Sequence, residues 1–390
     1  MHERLNIRLL PAPHRSIRDI AAVCVLGLAV LLGSCATRPL ESEETRTEVP
    51  LGAIALFDAN QQPISNAPAV KRKKHAHILA LSGGGSYGAF GAGVLNGWTE
   101  SGKRPQFDIV TGISTGALIA TLAFLGPDYD DELKHLYTEL TAADIFLSKG
   151  VVGIFGASLL DYTPLKKQIE SVVTEQLLDQ IAAAYLKGRR LYVGTTNLDA
   201  GELVVWDMGA IAASGHPDRV RVFQKVLRAS AAVPGIFKPV YIQPELENLA
   251  RQMHVDGAVK APVLIRTFMF KTPANRRTLH VIINRQLTLA NDAEAVEPKV
   301  LDISRKSISE LVRGLLYKTL YQGYVAARNA NARFRLTSIP DTLTLPDNSL
   351  EFDPKTMQKL YEIGREQGRT ASGWTNEPPR LEALERITRR

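Results

Sequence analysis

Cysteine is nearly absent from this chain: Cys24 and Cys35 are the only two in 390 residues. The apolar run at residues 20–32, IAAVCVLGLAVLL, has 13 residues, too few to span a bilayer, which takes about 20. Strong net charge is missing as well. The formal charge is +7, of which +5 falls after residue 34, a mild basic excess that suits an anionic lipid surface and argues against nucleic-acid binding. Histidine, cysteine and carboxylate nowhere cluster at metal-ligand spacing, so neither a metal nor another cofactor is expected.

Arg4, Arg8, Arg15 and Arg18 precede the apolar run, which has the size of a signal-peptide core. It ends in LGSC, residues 32–35, which resembles the lipobox of bacterial lipoproteins. That resemblance implies removal of residues 1–34, lipidation of Cys35, a tether over residues 35–75, and a membrane-anchored protein facing the periplasm. The n-region departs from the usual signal in its length and in carrying Glu3 and Asp19. With Cys24 removed and Cys35 acylated, no thiol is left for catalysis. The competing reading is a stray cysteine behind an apolar core helix.

With 45% hydrophobic and 22% charged residues, the remainder is globular and large enough for one sizeable core. Short apolar strands are expected at residues 75–82, 107–112 and 279–284, and two more around a turn within residues 189–207. An apolar helix follows residue 113 and stops at Gly126-Pro127. Strands alternating with helices imply an α/β fold with a mainly parallel sheet flanked by helices, its ligand site at the carboxyl ends of the strands. Residues 76–340 are taken as the domain and the polar residues 341–390 as a C-terminal extension. A long amphipathic helix is expected within residues 308–334, for core packing or for membrane docking. The basic run at residues 71–75 reads as a solvated domain edge or a contact for anionic headgroups. The apolar, Gly-rich residues 145–160 read as core or as a lid over an acyl channel, with Val152 and Phe155 on it.

GISTG, Gly112 to Gly116, sits between an apolar strand and an apolar helix. A nucleophilic serine at such a turn needs neighbours without bulk, and the helix N-terminus then directs amides at the developing anion. Six glycines fall within residues 82–93. Consecutive glycines after a buried strand leave amides free to converge on one oxygen, as a tetrahedral intermediate requires. Gly83, Gly85 and Gly88 also fit a dinucleotide-binding pattern, which needs an acidic residue about 20 positions on, at the end of the second strand. Asp108 is near that distance but begins its strand. No histidine lies in a triad-like context. Asp256, followed by Gly257 and Ala258, can approach another backbone closely and so meet the serine, or form an Asx turn.

The glycine loop Gly83-Gly84-Gly85 with Gly88, the elbow Gly112 to Gly116, residues 229–240 (ASAAVPGIFKPV) and Asp256-Gly257-Ala258 stand in the order found in patatin-like phospholipases. The TTNLDAGE turn at residues 195–202 also resembles a family element. The similarity covers about residues 78–263, more loosely to 334. It implies a Ser-Asp dyad, with Ser114 as nucleophile, Asp256 as base, and the amides of Gly83, Gly84 and Gly85 as oxyanion hole. Tyr87 stands where many members have Arg, and Ala258 where a second Gly is commoner. The function so implied is a lipid acyl hydrolase of phospholipase A or lysophospholipase type, with membrane lipid as substrate. A small-acyl esterase or thioesterase, or an anchored scaffold without turnover, are the alternatives. Oligomeric state is not legible.

Overall fold

A computed structural model describes residues 48–49, 56–57, 63–64, 72–148, 158–244, 252–287, 296–346 and 348–379. The signal segment, Cys35, and the lid positions Val152 and Phe155 lie outside the described residues. Among the described residues, no helix is long and apolar enough to cross a membrane.

The sheet is built around β1 (Lys73–Leu81), β2 (Ile109–Ile113) and β3 (Arg190–Asn197), joined by β4 (Glu202–Asp207), β5 (Val240–Pro244), β6 (Gln252–Asp256), β7 (Ala274–Ile283) and β8 (Arg333–Ser338). Neighbours β3, β2, β1, β7 and β8 run parallel in that order. β4, β5 and β6 are antiparallel additions at one side. The expected mainly parallel sheet is therefore present. Every residue of β2 and β3 is buried, so neither strand shows the two-residue alternation of a half-exposed one. The chain adds β2 and β3 on one side of β1, then β7 and β8 on the other. The order thus reverses at β1, and the crevice beyond the carboxyl ends of such strands is where α/β sheets bind ligands.

Helices cover both faces. On one lie α1 (Gly88–Glu100), α2 (Thr115–Leu125), α3 (Met208–Ala213), α4 (Arg219–Ser230) and, from the far end of the chain, α6 (Pro354–Thr370). On the other, α5 (Val300–Asn329) covers Ile78, Leu279 and Phe334 with its buried Leu316, Leu320 and Ala327. The amphipathic helix expected to reach residue 334 ends at Asn329, because Arg333 already pairs with Thr278 in the sheet.

Both ends of the domain differ from expectation. Glu48–Val49, within the stretch read as a tether, pairs in parallel with β5 at the sheet edge. Within the stretch read as an extension, the helix α6 packs against the core. Met357, Leu360 and Tyr361 of α6 are buried, each such apolar side chain contributing about 1.5–3 kcal/mol. Gly93 and Gly97 of α1 lie directly under the Tyr361 and Arg365 carbonyls, and Gly364 and Gly368 of α6 under those of Phe90 and Val94. A side chain at any of the four would occupy backbone of the opposing helix, so the small residues of α1 serve a helix contact far away in sequence.

Candidate active site

Two strands meet end to end beside β3. β4 lies along residues 192–197 of β3, so β2, at residues 190–194, and β6, at residues 195–197, share its other edge. Ile113 stands opposite Gly194 and Asp256 opposite Thr195. The two strands run in opposite directions and stop at consecutive positions, which brings Ser114 and Asp256 together across 142 residues of chain.

Ser114 links β2 to α2 at φ 56°, a backbone region rarely tolerated by a residue with a side chain and found where surrounding structure enforces it. A Cβ on Gly116 would stand 2.5 Å from the Ser82 carbonyl oxygen, so that position has no room for one. The Ser114 amide donates to Ser230 Oγ (2.9 Å), which in turn donates to the Gly194 carbonyl (2.8 Å). Ser114 is 8% exposed.

Asp256 is 3% exposed; its carboxylate accepts a hydrogen bond from the Ala258 amide, 2.8 Å away, and is held down in pKa by the neighbouring Ser114 side chain. The Asx turn and the approach to serine thus occur together. Burial pushes the carboxyl up to about 6, while the Ser114 side chain, the Ala258 amide and the charge of Arg285 pull it down. A carboxylate so raised is a better proton acceptor at neutral pH than an ordinary one. His254, two residues earlier, bonds through Nδ1 to Thr195 Oγ1 (2.9 Å), and burial lowers its pKa to about 4. Among the described residues, no histidine is hydrogen-bonded to Ser114 or Asp256.

The glycine loop follows β1. Gly83 packs against Ser114, whose Cβ would be 3.1 Å from a Cβ added at Gly83. Its amide, expected as an oxyanion donor, is committed to the Pro262 carbonyl (3.1 Å), which removes it from the donor set. Among the described residues, no acceptor receives the amides of Gly84 and Gly85. Gly85 has φ 57° and lies under the Ser349 carbonyl. Gly88 packs on Thr115 and Tyr137, and Gly257 on the Gly194 carbonyl.

Residues with no sequence signal hold this loop. Asn284, buried after β7, donates from its backbone to Ser82 Oγ (2.8 Å) and from its side chain to the Ser82 carbonyl (2.9 Å). Ser86 donates from amide and hydroxyl to the Ser349 carbonyl, and Tyr87 donates to the Pro346 carbonyl. Arg285 then supplies the positive charge that Tyr87 does not. It interacts electrostatically with Asp256, Tyr87, Arg313 and Glu310, and burial with repulsion from Arg313 lowers its pKa.

A serine at a strained strand-to-helix turn, on an α/β sheet and flanked by a glycine loop, has the form of an α/β-hydrolase elbow. Residues 79–269 match the family model described as patatin-like phospholipase. Those residues carry a patatin-like phospholipase domain, and that likeness supports hydrolysis of lipid esters. No curated protein sequence matches the chain. Among solved structures it is similar to VipD from Legionella pneumophila, with 14% identity, a TM-score of 0.39, and coverage of 86% of this chain and 72% of that one. It is also similar to ExoU from Pseudomonas aeruginosa, in its complex with SpcU (14%, TM-score 0.29, 92% and 62%), and to human GIVD cytosolic phospholipase A2 (10%, 0.32, 96% and 64%). It spans less than two thirds of the latter two.

Proposed function

We propose that the protein is a lipid acyl hydrolase of phospholipase A or lysophospholipase type that works through a Ser114-Asp256 dyad. The observation that carries this is the juxtaposition of Ser114, held at φ 56° at the end of β2, with the buried Asp256 carboxylate at the end of β6, raised to about 6. Asp256 accepts the hydroxyl proton as Ser114 Oγ attacks the ester carbonyl. The resulting oxyanion is received by the Gly84 and Gly85 amides and by the positive end of α2. Collapse expels the lipid alcohol, which takes the proton from Asp256 and leaves an acyl-Ser114 ester. Water, deprotonated by Asp256, then attacks that ester, and the fatty acid leaves as the proton returns to Ser114 Oγ.

Release of fatty acid from phospholipid and lysophospholipid vesicles, with a chelator present, tests this directly. Turnover in the parent and its loss in both Ser114→Ala and Asp256→Asn is expected. Cleavage of short soluble esters alone would reassign the protein as a small-acyl esterase. The lipobox-like residues 32–35 support anchoring through Cys35 on a membrane facing the periplasm. Palmitate incorporation by the parent, absent in Cys35→Ala, is the corresponding test.

A further inference from the structure

The other end of the sheet carries a second concentration of chemistry. Three adjacent strands each present two residues at i and i+2: His75 and His77 on β1, Thr278 and His280 on β7, Arg333 and Arg335 on β8. In register, Thr278 stands opposite both His77 and Arg333, and His280 opposite Arg335, so all six side chains share one face. They line a cavity of about 190 Å³, closed by Trp98, Lys103 and Arg369 among others. His75 on β1 and Ser82 just after it are seven residues apart, roughly 23 Å at strand spacing, so this is not the catalytic crevice.

The lining contains four full cations, Lys103, Arg333, Arg335 and Arg369, and no carboxylate. Arg369 is paired with Glu366 at 2.8 Å. Among the described residues, Lys103, Arg333 and Arg335 pair with no acid. Arg335 is held over the Trp374 ring, 4.8 Å from its centroid. The ends of α1 and α6 also border the cavity, but each helix terminus brings only about half a negative charge. His280 is 3% exposed. Its Nε2 meets His77 Nδ1 at 3.2 Å, while its buried Nδ1 has no partner among the described residues, an unusual omission for an interior polar atom.

We propose that this cavity is a binding site for a phosphate-bearing anion, held by Arg333, Arg335 and Lys103. Planar guanidinium groups pair with phosphate oxygens in two-point fashion. The volume lies below the roughly 300 Å³ where sites for drug-sized ligands begin, which suits a phosphate or phosphomonoester group rather than a nucleotide. The phosphate belongs either to a soluble molecule or to the headgroup of an anionic lipid, and both present the same chemistry to the arginines.

Calorimetric titration of the full chain with inorganic phosphate, and sedimentation with phosphatidylglycerol vesicles, test the proposal. Ser114→Ala serves as control for the catalytic crevice. Arg333 is exposed, so Arg333→Ser leaves the core intact. Lys103→Ser is a second variant of the same kind. Each is expected to weaken binding about tenfold or more, the size of one charge-assisted hydrogen bond, while Ser114→Ala binds as the parent does. Phosphate binding that depends on Arg333 assigns a soluble ligand. Vesicle binding that depends on Arg333, without affinity for free phosphate, assigns a lipid headgroup. Binding of neither, or binding unchanged in both cation variants, overturns the proposal.

Discussion

Ile113 and Asp256 occupy consecutive places along one edge of β3, opposite Gly194 and Thr195. Because their strands arrive from opposite directions, the residue after Ile113 has nowhere to go but past the Asp256 carboxylate. Ser230, tied to both the Ser114 amide and the Gly194 carbonyl, fixes that turn. Ser230→Ala leaves a buried amide without its partner, at about 1–3 kcal/mol. A lower urea midpoint, together with slower ester cleavage, is the expected outcome.

Asp256 must be ionised to accept a proton. With its carboxyl raised from 3.8 to about 6, kcat/KM should level off above pH 6 and fall about tenfold per unit below it. The sign for stability is opposite. A carboxyl raised on folding stabilises below its unfolded value of 3.8, and that stability is lost as pH rises through about 6. Asp256→Asn, inactive, should therefore melt higher than the parent at pH 8, with the difference shrinking at pH 5.

Arg285 pulls the Asp256 carboxyl down. Arg285→Gln removes that charge and should move the midpoint of the pH–rate profile upward, whereas Arg285→Lys should keep it near the parent value. An unchanged midpoint in Arg285→Gln would show that the guanidinium does not act on Asp256.

A Cβ on Gly84 would come 2.7 Å from Asn284 Cβ and closer still to its carbonyl. Gly84→Ala must displace the loop that carries the two free amides. Misplacing one oxyanion donor typically lowers kcat by about 10²–10³, so a loss of that order with an unchanged circular dichroism spectrum is expected.

The elbow, the glycine loop and Asp256 were legible because close backbone approach demands glycine at fixed offsets, which leaves a pattern in the sequence. β1, β2 and β7 are legible because each contains a short apolar run, whereas β8, RFRLTS, carries none and is not. Asn284, Arg285 and Ser230 were not, since each acts from an ordinary-looking strand or helix end that only the topology brings to the site. The Gly83 amide could not be discounted without knowing where Pro262 lies. α6 is not legible because residues 354–370 are mostly polar; the small residues of α1 suit close helix packing but do not say which helix fills the contact. Truncation after Pro340 should accordingly yield an unfolded or insoluble chain.

The central claim is that Ser114 is the nucleophile and Asp256 its base. The most direct measurement is reaction of the full chain with an alkyl fluorophosphonate, followed by peptide mass mapping, for the parent, Ser114→Ala and Asp256→Asn. A single adduct on Ser114 in the parent, none in Ser114→Ala and a much slower one in Asp256→Asn is the expected result. An adduct on another serine, or labelling at Ser114 indifferent to Asp256→Asn, would contradict it.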